Sequence, residues 1–512
     1  MLPALSDFAV LSEQRPDDAA RESADAPPRT LGALLTARAA AWPDALAYAD
    51  ADRCVTFAAL AESAATLAGA IARMGVREGD RVALVQPAGV GFAEHFWALQ
   101  LLGAVPCAFN PVTLRHTLAR RVQSIRPRLT IADNLELVTT APEATGASAA
   151  ADDLAFLQRT SGTSGEPRAA MLTHGNVLAQ LRATEVAGHL ASDDVLASWV
   201  PPWHDFGLVR FVIAPVYFGA ACHIVRPAIR TIPDWLATID RVRATHTGAP
   251  DFAYRLACSM VDPGAVDLSS LRYAGNGGEP IRRSTIERFE QRFGIAPTVA
   301  PGYGLAEATL GVTAHPAGEP IVVDERGNVS CGVAFPRVEV RVDGDAATPG
   351  EILVRGESVF AGYLDGPAET AAVLRDGWLH TGDSGYLDAA GRLFVLGRRR
   401  AMIKRGGGVV APRELEDAAH EVAGVKLAAA FAARPTAPAI GERIVVVVEA
   451  DEPDADGPAI AERVSAAIRA SLGFSPHEVV VVRAGRIPRT TNGKVRYGAL
   501  SELIADPPRE LG

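Results

Sequence analysis

The chain is poor in the features that mark several functional classes. It has no excess of basic charge: 50 Lys and Arg stand against 60 Asp and Glu, for a net charge of -10. That balance argues against a nucleic-acid footprint, which needs a basic face. It has no uninterrupted apolar run near the ~18 residues of a membrane-spanning helix, so no membrane insertion is expected. It has few cysteines. Cys54, Cys107, Cys222, Cys258 and Cys331 are isolated and odd in number. Their spacing suggests neither a disulfide framework nor a zinc site, and a reducing compartment is the simple reading. The opening MLPALSDFAV lacks a basic region followed by a long apolar run. No signal peptide is expected, and a cytoplasmic location is. No internal repeat or extended low-complexity tract is present.

What the 512 residues do contain is 48% hydrophobic content, enough for a large buried core. The stretch 13–28 is polar and proline-bearing and reads as a flexible arm. From 60 to 74, Leu60, Ala64, Leu67, Ala68 and Ile71 recur at helical spacing, which predicts an amphipathic helix. A buried strand is predicted over Val82–Val85, then a second helix ending near Gly103. Strand candidates follow in LTIAD, VLASWVP, GAACHIVRP and LRYAGNG, with helical stretches between. This alternation predicts an α/β fold with layered, largely parallel sheets. The last ~110 residues have their own pattern, with RIVVVVEA and EVVVVR as strands and AIAERVSAAIRASLG as a helix, a size typical of a small α+β domain. The expected organisation is an N-terminal arm over 1–29, a large domain over 30–397 and a small mobile domain over 398–512.

One stretch raises a chemical question. LQRTSGTSGEPRAAMLTHGNV, from Leu157 to Val177, gathers serines, threonines and glycines into a few positions. Such clusters are most often surface loops. The alternative is a phosphate cradle: glycines let successive N–H groups turn inward around an anion, and hydroxyls add donors. Gly162 and Gly165 would allow the bend, and Thr160, Ser161, Thr163 and Ser164 would grip a triphosphate. The pattern is not a G-x-x-x-x-G-K-[ST] P-loop.

Four further motifs follow in order: NGGEP at 276–280, GYGLAEAT at 302–309, the segment 377–408 containing HTGD and GRRRAMIKRGGG, and RIPRTTNGK ending at Lys494. Together with the serine/threonine cluster, this set resembles the adenylate-forming superfamily of acyl-CoA synthetases, adenylation domains and luciferases. The resemblance runs from about Thr30 to Lys494. The phrases PPWHDFGLV, THTGAPDFAYRLAC, DLSSLRYAGNGGEPIR and NVSCG are similar to fatty acyl-AMP ligases, which activate a fatty acid as its adenylate and pass it to an acyl carrier protein.

The resemblance implies ATP and Mg²⁺ as reaction partners of a carboxylic acid, and it implies roles. Lys494 would reach from the small domain to the carboxylate and α-phosphate, as a compact cation can. Glu307 would be the Mg²⁺ ligand, one carboxylate among phosphate oxygens and waters. Tyr303, with Gly304 beside it, would stack on adenine, and Gly278, Glu279 and Pro280 would line the purine pocket. Asp383 would accept from the ribose hydroxyls, Arg398 would donate to the ribose, and Arg400 would sit at the domain hinge. His204, Asp205, Gly207 and Gly248 fall where the family shapes its acid pocket. His204 is a catalytic candidate, and Asp205 keeps an amino-acid substrate open.

Arg168 stands where the family usually has lysine, which bears on pyrophosphate handling. Two further features bear on the thiol acceptor. The stretch 313–329 is shorter than the insertion fatty acyl-AMP ligases usually carry, and IKRGGGVVAPRELE resembles coenzyme A ligases. The expected function is therefore acyl-adenylate formation followed by loading of a carrier protein's phosphopantetheine. An acyl-CoA ligase, an amino-acid adenylating enzyme and a non-catalytic nucleotide-binding relative are the alternatives.

Overall fold

The computed structural model describes residues 28–132, 149–160, 168–187, 190–295, 297–346, 348–405, 408–433, 442–452, 456–489 and 495–505. The chain divides into two compact units. The first comprises Met1–Thr160, Arg168–Val340 and Val354–Leu379; the second comprises Ser161–Pro167, Arg341–Leu353 and His380–Gly512. The sequence-based boundary at 397–400 falls inside the second unit, at the short turn Arg399–Ala401.

The α/β fold read from the sequence is the fold observed. Among the described residues, the first unit holds a nine-stranded and a six-stranded sheet. In the larger sheet the strands Ala221–Ile224, Val195–Ser198, His246–Ala249, Tyr273–Asn276 and Val299–Gly304 lie side by side. All four pairings between them are parallel. In the smaller sheet, Leu129–Ala132, Arg81–Val85, Val105–Ala108 and Leu154–Arg159 are likewise parallel neighbours. Strands buried on both faces explain why the sequence shows short continuous apolar runs instead of alternation.

The predicted helices form for local reasons. Phe57–Arg73 is capped by Thr56, whose hydroxyl accepts from Ala59 N–H, and it buries Leu60, Ala64, Ala68 and Ile71. Thr at the N-cap satisfies one of the helix's orphan donors. Val90–Leu102 ends at Gly103, which adopts φ +69°, a left-handed stop that glycine takes without strain.

The second unit has its own core. Ala428, Ala430, Ile444, Val446 and Val448 from two antiparallel strands pack with Leu415, Ile460, Val464 and Ile468 from the helices Pro412–His420 and Gly457–Leu472. Glu478–Val482 completes the sheet as a parallel strand.

Candidate active site

In the nine-stranded sheet, Ile224, Ser198, Gly248, Gly275 and Ala300 fall in one row across the parallel strands. Just beyond that row, at the carboxyl ends, lie three predicted motifs, the His204–Gly207 turn, the Gly278–Pro280 loop and the Tyr303–Glu307 segment, together with Asp251. Ligands bind at this edge of open parallel sheets, where loops converge on a rigid frame.

The WHDFG turn is fixed by close approach. His204 precedes the short helix Asp205–Leu208, and Asp205 Oδ1 accepts from Phe206 N–H at 2.8 Å. A Cβ on Gly207 would lie 2.0 Å from Pro201 O, and one on Gly248 would lie 2.6 Å from Phe206 Cζ. Gly207 meets backbone and requires glycine on packing grounds, whereas a side chain at Gly248 would displace the Phe206 ring. Gln158 Nε2 donates to Trp203 O at 3.2 Å, tying the turn to the strand that leads into the serine/threonine cluster.

A small crevice opens beside this turn. Gly89, Phe92, Ser198, Val200, Pro202, Gly207, Phe211, Val212 and Ile224 line it. No lining residue is charged, and Asp205 is not among them.

The purine-loop candidates are held by a residue the sequence reading did not single out. Asp251, 0% exposed, accepts from Arg282 N–H at 3.0 Å, Thr285 Oγ1 at 2.9 Å and Asn276 Nδ2 at 3.3 Å. Its other partner is the Arg282 guanidinium at 3.5 Å. One buried carboxylate thus clamps both ends of the 277–281 loop. Within the loop, Gly278 sits at φ +83°, and Glu279 Oε1 accepts from Phe252 N–H at 2.6 Å. Asn276 Oδ1 is buried with no hydrogen-bond partner among the described residues. The signal in the sequence was an aspartate within the apolar APDFAY, since a carboxylate is almost never fully buried unless paired.

Tyr303 and Gly304 end their strand half-buried. A Cβ on Gly304 would lie 1.8 Å from Leu310 O. Glu307 lies in the tight turn Ala306–Ala308, followed by Thr309 at φ +68°. A β-branched residue there is a backbone outlier of the kind that clusters at functional sites; Thr309 Oγ1 donates to Ser358 O at 2.6 Å. Tyr363 OH donates to Glu307 Oε1 at 2.7 Å, and Arg168 lies over the Tyr363 ring at 5.2 Å. Burial and the neighbouring Glu307 push the Tyr363 phenol up, so it stays a donor to the carboxylate.

Ser161, Gly162, Thr163, Ser164 and Gly165 lie outside the described residues. The residues flanking them pair: Thr160 N–H donates to Arg168 O at 2.9 Å, and Arg168 N–H donates to Thr160 Oγ1 at 3.1 Å.

In the second unit, Asp383 and Arg398 face each other across an antiparallel pair of strands. Asp383 is 7% exposed, and Arg398 Nε lies 3.1 Å from its Oδ1. Arg398 Nη1 donates to Thr381 O at 2.9 Å. Arg400 is exposed. Beside it, Arg399 Nη1 donates to Glu351 Oε2 at 2.8 Å. Lys494 lies outside the described residues. Its flanks are anchored: Arg489 and Val495 form an antiparallel bridge, and fully buried Glu449 accepts from Ile487 N–H at 2.7 Å and Arg489 Nη2 at 3.3 Å. Glu449 is a second anchor the sequence reading missed.

Residues 35–364 match the AMP-binding enzyme family. The chain is 34% identical over 415 residues to the protein Rv1013 of Mycobacterium tuberculosis, covering 73% of this chain and 76% of that one. It is 32% identical over 402 residues to JamA of Moorena producens, a medium-chain-fatty-acid–[acyl-carrier-protein] ligase, covering 68% and 67%. Among solved structures it is similar to a fatty acyl-adenylate ligase, from the E. coli and L. pneumophila pair, at 26% identity and TM-score 0.78, covering 93% and 98%. No described helix is long and apolar enough to cross a membrane.

Proposed function

Since this chain belongs to the AMP-binding enzyme family, we propose that it activates a carboxylic acid with an uncharged, apolar tail as its acyl-adenylate and passes the acyl group to the phosphopantetheine thiol of an acyl carrier protein. The observation that carries the reading is the convergence at one sheet edge of the WHDFG turn, the Asp251-clamped loop and the Tyr303–Glu307 turn, beside the uncharged cavity.

The cavity bears on the acid. An ammonium or second carboxylate buried there would have no counter-charge in the lining, at a cost of several kcal/mol. The apolar, uncharged lining supports an acyl chain over an amino acid.

The residues present fit MgATP. Asn276 Oδ1 is a buried acceptor awaiting a donor, as the amino group of a purine would supply. Gly278 leaves open space where a side chain would stand. Glu307 provides a hard oxygen for Mg²⁺, whose contribution when bound is to neutralise phosphate charge. Tyr303 offers an aromatic face to adenine. Asp383 accepts from the ribose hydroxyls, and Arg398, held on Thr381 O, stays beside it. In adenylation a carboxylate oxygen bonds to the α-phosphorus and the bond to the β-phosphate bridge breaks, releasing pyrophosphate. Lys494 offsets the negative charge shared by carboxylate and α-phosphate as they approach. In transfer, the thiol sulfur bonds to the acyl carbon and AMP leaves.

A second reading has one observation in its favour. The segment following Ala314 is compact: Asp324 accepts from Arg326 and Asn328 N–H groups, and Ser330 N–H donates to Val322 O. This short turn occupies the place where fatty acyl-AMP ligases carry an insertion, and favours coenzyme A as acceptor. The test is kcat/KM for thioester formation with holo-carrier protein and with free coenzyme A at matched acid and ATP. Faster turnover with the carrier protein supports the proposal; equal or faster turnover with coenzyme A overturns its acceptor.

A further inference from the structure

The walls of the acid cavity come from distant parts of the chain. One is the start of the helix Val90–Leu102, which contributes Phe92. Another is Val209–Ile213, which contributes Phe211 and Val212. The latter is a π-turn, with Ala214 N–H bonded to Val209 O. Pro215, at the head of the next helical turn, has no N–H to offer the carbonyls before it, which accounts for the local change of register. π-turns of this kind are frequent at functional sites.

A single hydroxyl joins the two walls. Tyr48, 0% exposed, stands on the strand Leu46–Ala49. Its hydroxyl donates to Val212 O within the π-turn. It also accepts from Trp97 Nε1 at 3.1 Å, two turns along the helix that carries Phe92. Both ring systems are fully buried, so neither polar group has water as a substitute partner. Burial holds the Tyr48 phenol well above its usual range, and it remains a donor wherever the protein is folded.

We propose that Tyr48 is the specificity-determining positioning residue of the acid cavity: its hydroxyl, bonded to Val212 O on one wall and Trp97 Nε1 on the other, sets the separation of Phe92 from Phe211 and hence the length and bulk of acid accepted. The proposal rests on the function argued above. Tyr48 does not line the cavity and acts only through residues that do. Its removal therefore changes which acid fits, not the handling of ATP.

The test is Tyr48→Phe, with Trp97→Phe as a second variant that frees the helix wall and leaves the Tyr48–Val212 bond. Pyrophosphate release is measured over a series of straight-chain acids of increasing length. The expected result in Tyr48→Phe is a rise of about tenfold in KM for the best wild-type acid, from the loss of both bonds that the hydroxyl makes. The kcat/KM ratio of longer to preferred acids should rise by a similar factor, with KM for ATP within about twofold. Trp97→Phe shifts the series in the same direction by less. A folded variant that keeps the wild-type order of acids, or whose KM for ATP rises as much as that for acid, overturns the inference. Loss of folding in both variants also overturns it, because the bonds would then be a requirement of the fold. A wild-type protein active with no acid overturns the proposed function; an active wild type with unchanged variants overturns this inference alone.

Discussion

Asp251→Asn isolates the clamp on the 277–281 loop. Asparagine has the same shape and keeps one acceptor, so Asn276 Nδ2 and Arg282 N–H can retain their bonds to Oδ1. The other oxygen becomes an amide N–H₂ facing the Arg282 guanidinium, whose side chain is 13% exposed. That change removes the Asp251 charge beside a largely buried cation, and breaking a buried pair costs about 3–5 kcal/mol. Some of this is recovered, because the Thr285 hydroxyl can reverse to accept; a net of about 3 kcal/mol remains. At 1.4 kcal/mol per decade, the clamped loop loses roughly two orders of magnitude in weight. If ATP binding has to restore it, KM for ATP rises by up to ~10²-fold, while KM for the acid, bound against Phe92 and Phe211, stays within about threefold. The assay is initial-rate pyrophosphate release against ATP at saturating acid, with a urea midpoint to verify folding. A folded Asp251→Asn protein with wild-type KM for ATP, or with equal losses for ATP and acid, refutes the reasoning.

Three further outcomes are expected. Lys494→Ala should slow acyl-adenylate formation by roughly 10²-fold or more yet leave thioester formation from pre-made acyl-adenylate largely intact; the two half-reactions, assayed separately, check this. Glu307→Gln should raise the Mg²⁺ concentration for half-maximal adenylation by about tenfold or more, since a neutral amide is a poorer ligand for a hard cation; an unchanged magnesium titration removes Glu307 from the metal site. Burial pushes His174 and His223 down to about 4, and His174 Nδ1 accepts from Leu31 N–H at 3.2 Å. Their folded values lie below the unfolded value of about 6.5, so the unfolded chain takes up protons first as pH falls. Their contribution is complete above about pH 6.5 and is lost progressively towards pH 4, by roughly 3 kcal/mol for each histidine. The urea midpoint should fall between pH 7.5 and pH 5, and a flat profile contradicts the assignment.

Much of the architecture was legible because its signals are local. The strands at 129–132, 195–198, 221–224 and 273–276 are short apolar runs between helical stretches, and each appeared where the pattern put it. The motif order was legible for a different reason: glycine spacing and charged residues in fixed sequence carry family resemblance directly. Lys494 had a further signal, since the 50 basic residues include only three lysines, Lys404, Lys426 and Lys494. The supporting residues were not legible. Asp251 reaches partners 25 to 34 positions away, and Tyr48 reaches Val212 across 164. No periodicity in one sequence encodes such pairings. The strained Thr309 was hidden too, because its φ of +68° is imposed by the turn around Glu307 and not by threonine's own preference.

The central claim is adenylation of an acid with an uncharged tail at the carboxyl edge of the nine-stranded sheet, and acid-dependent exchange of labelled pyrophosphate into ATP tests it most directly. The panel would contain straight-chain monocarboxylic acids of increasing length, zwitterionic amino acids with apolar side chains, and dicarboxylic acids. The uncharged lining formed by Phe92, Val200, Phe211, Val212 and Ile224 predicts exchange with the monocarboxylic acids. Exchange with the zwitterions and dicarboxylates should be at least ~10²-fold weaker, from the cost of burying an unpaired charge. Exchange with no acid, or with an amino acid as efficiently as with the best monocarboxylic acid, would contradict the account.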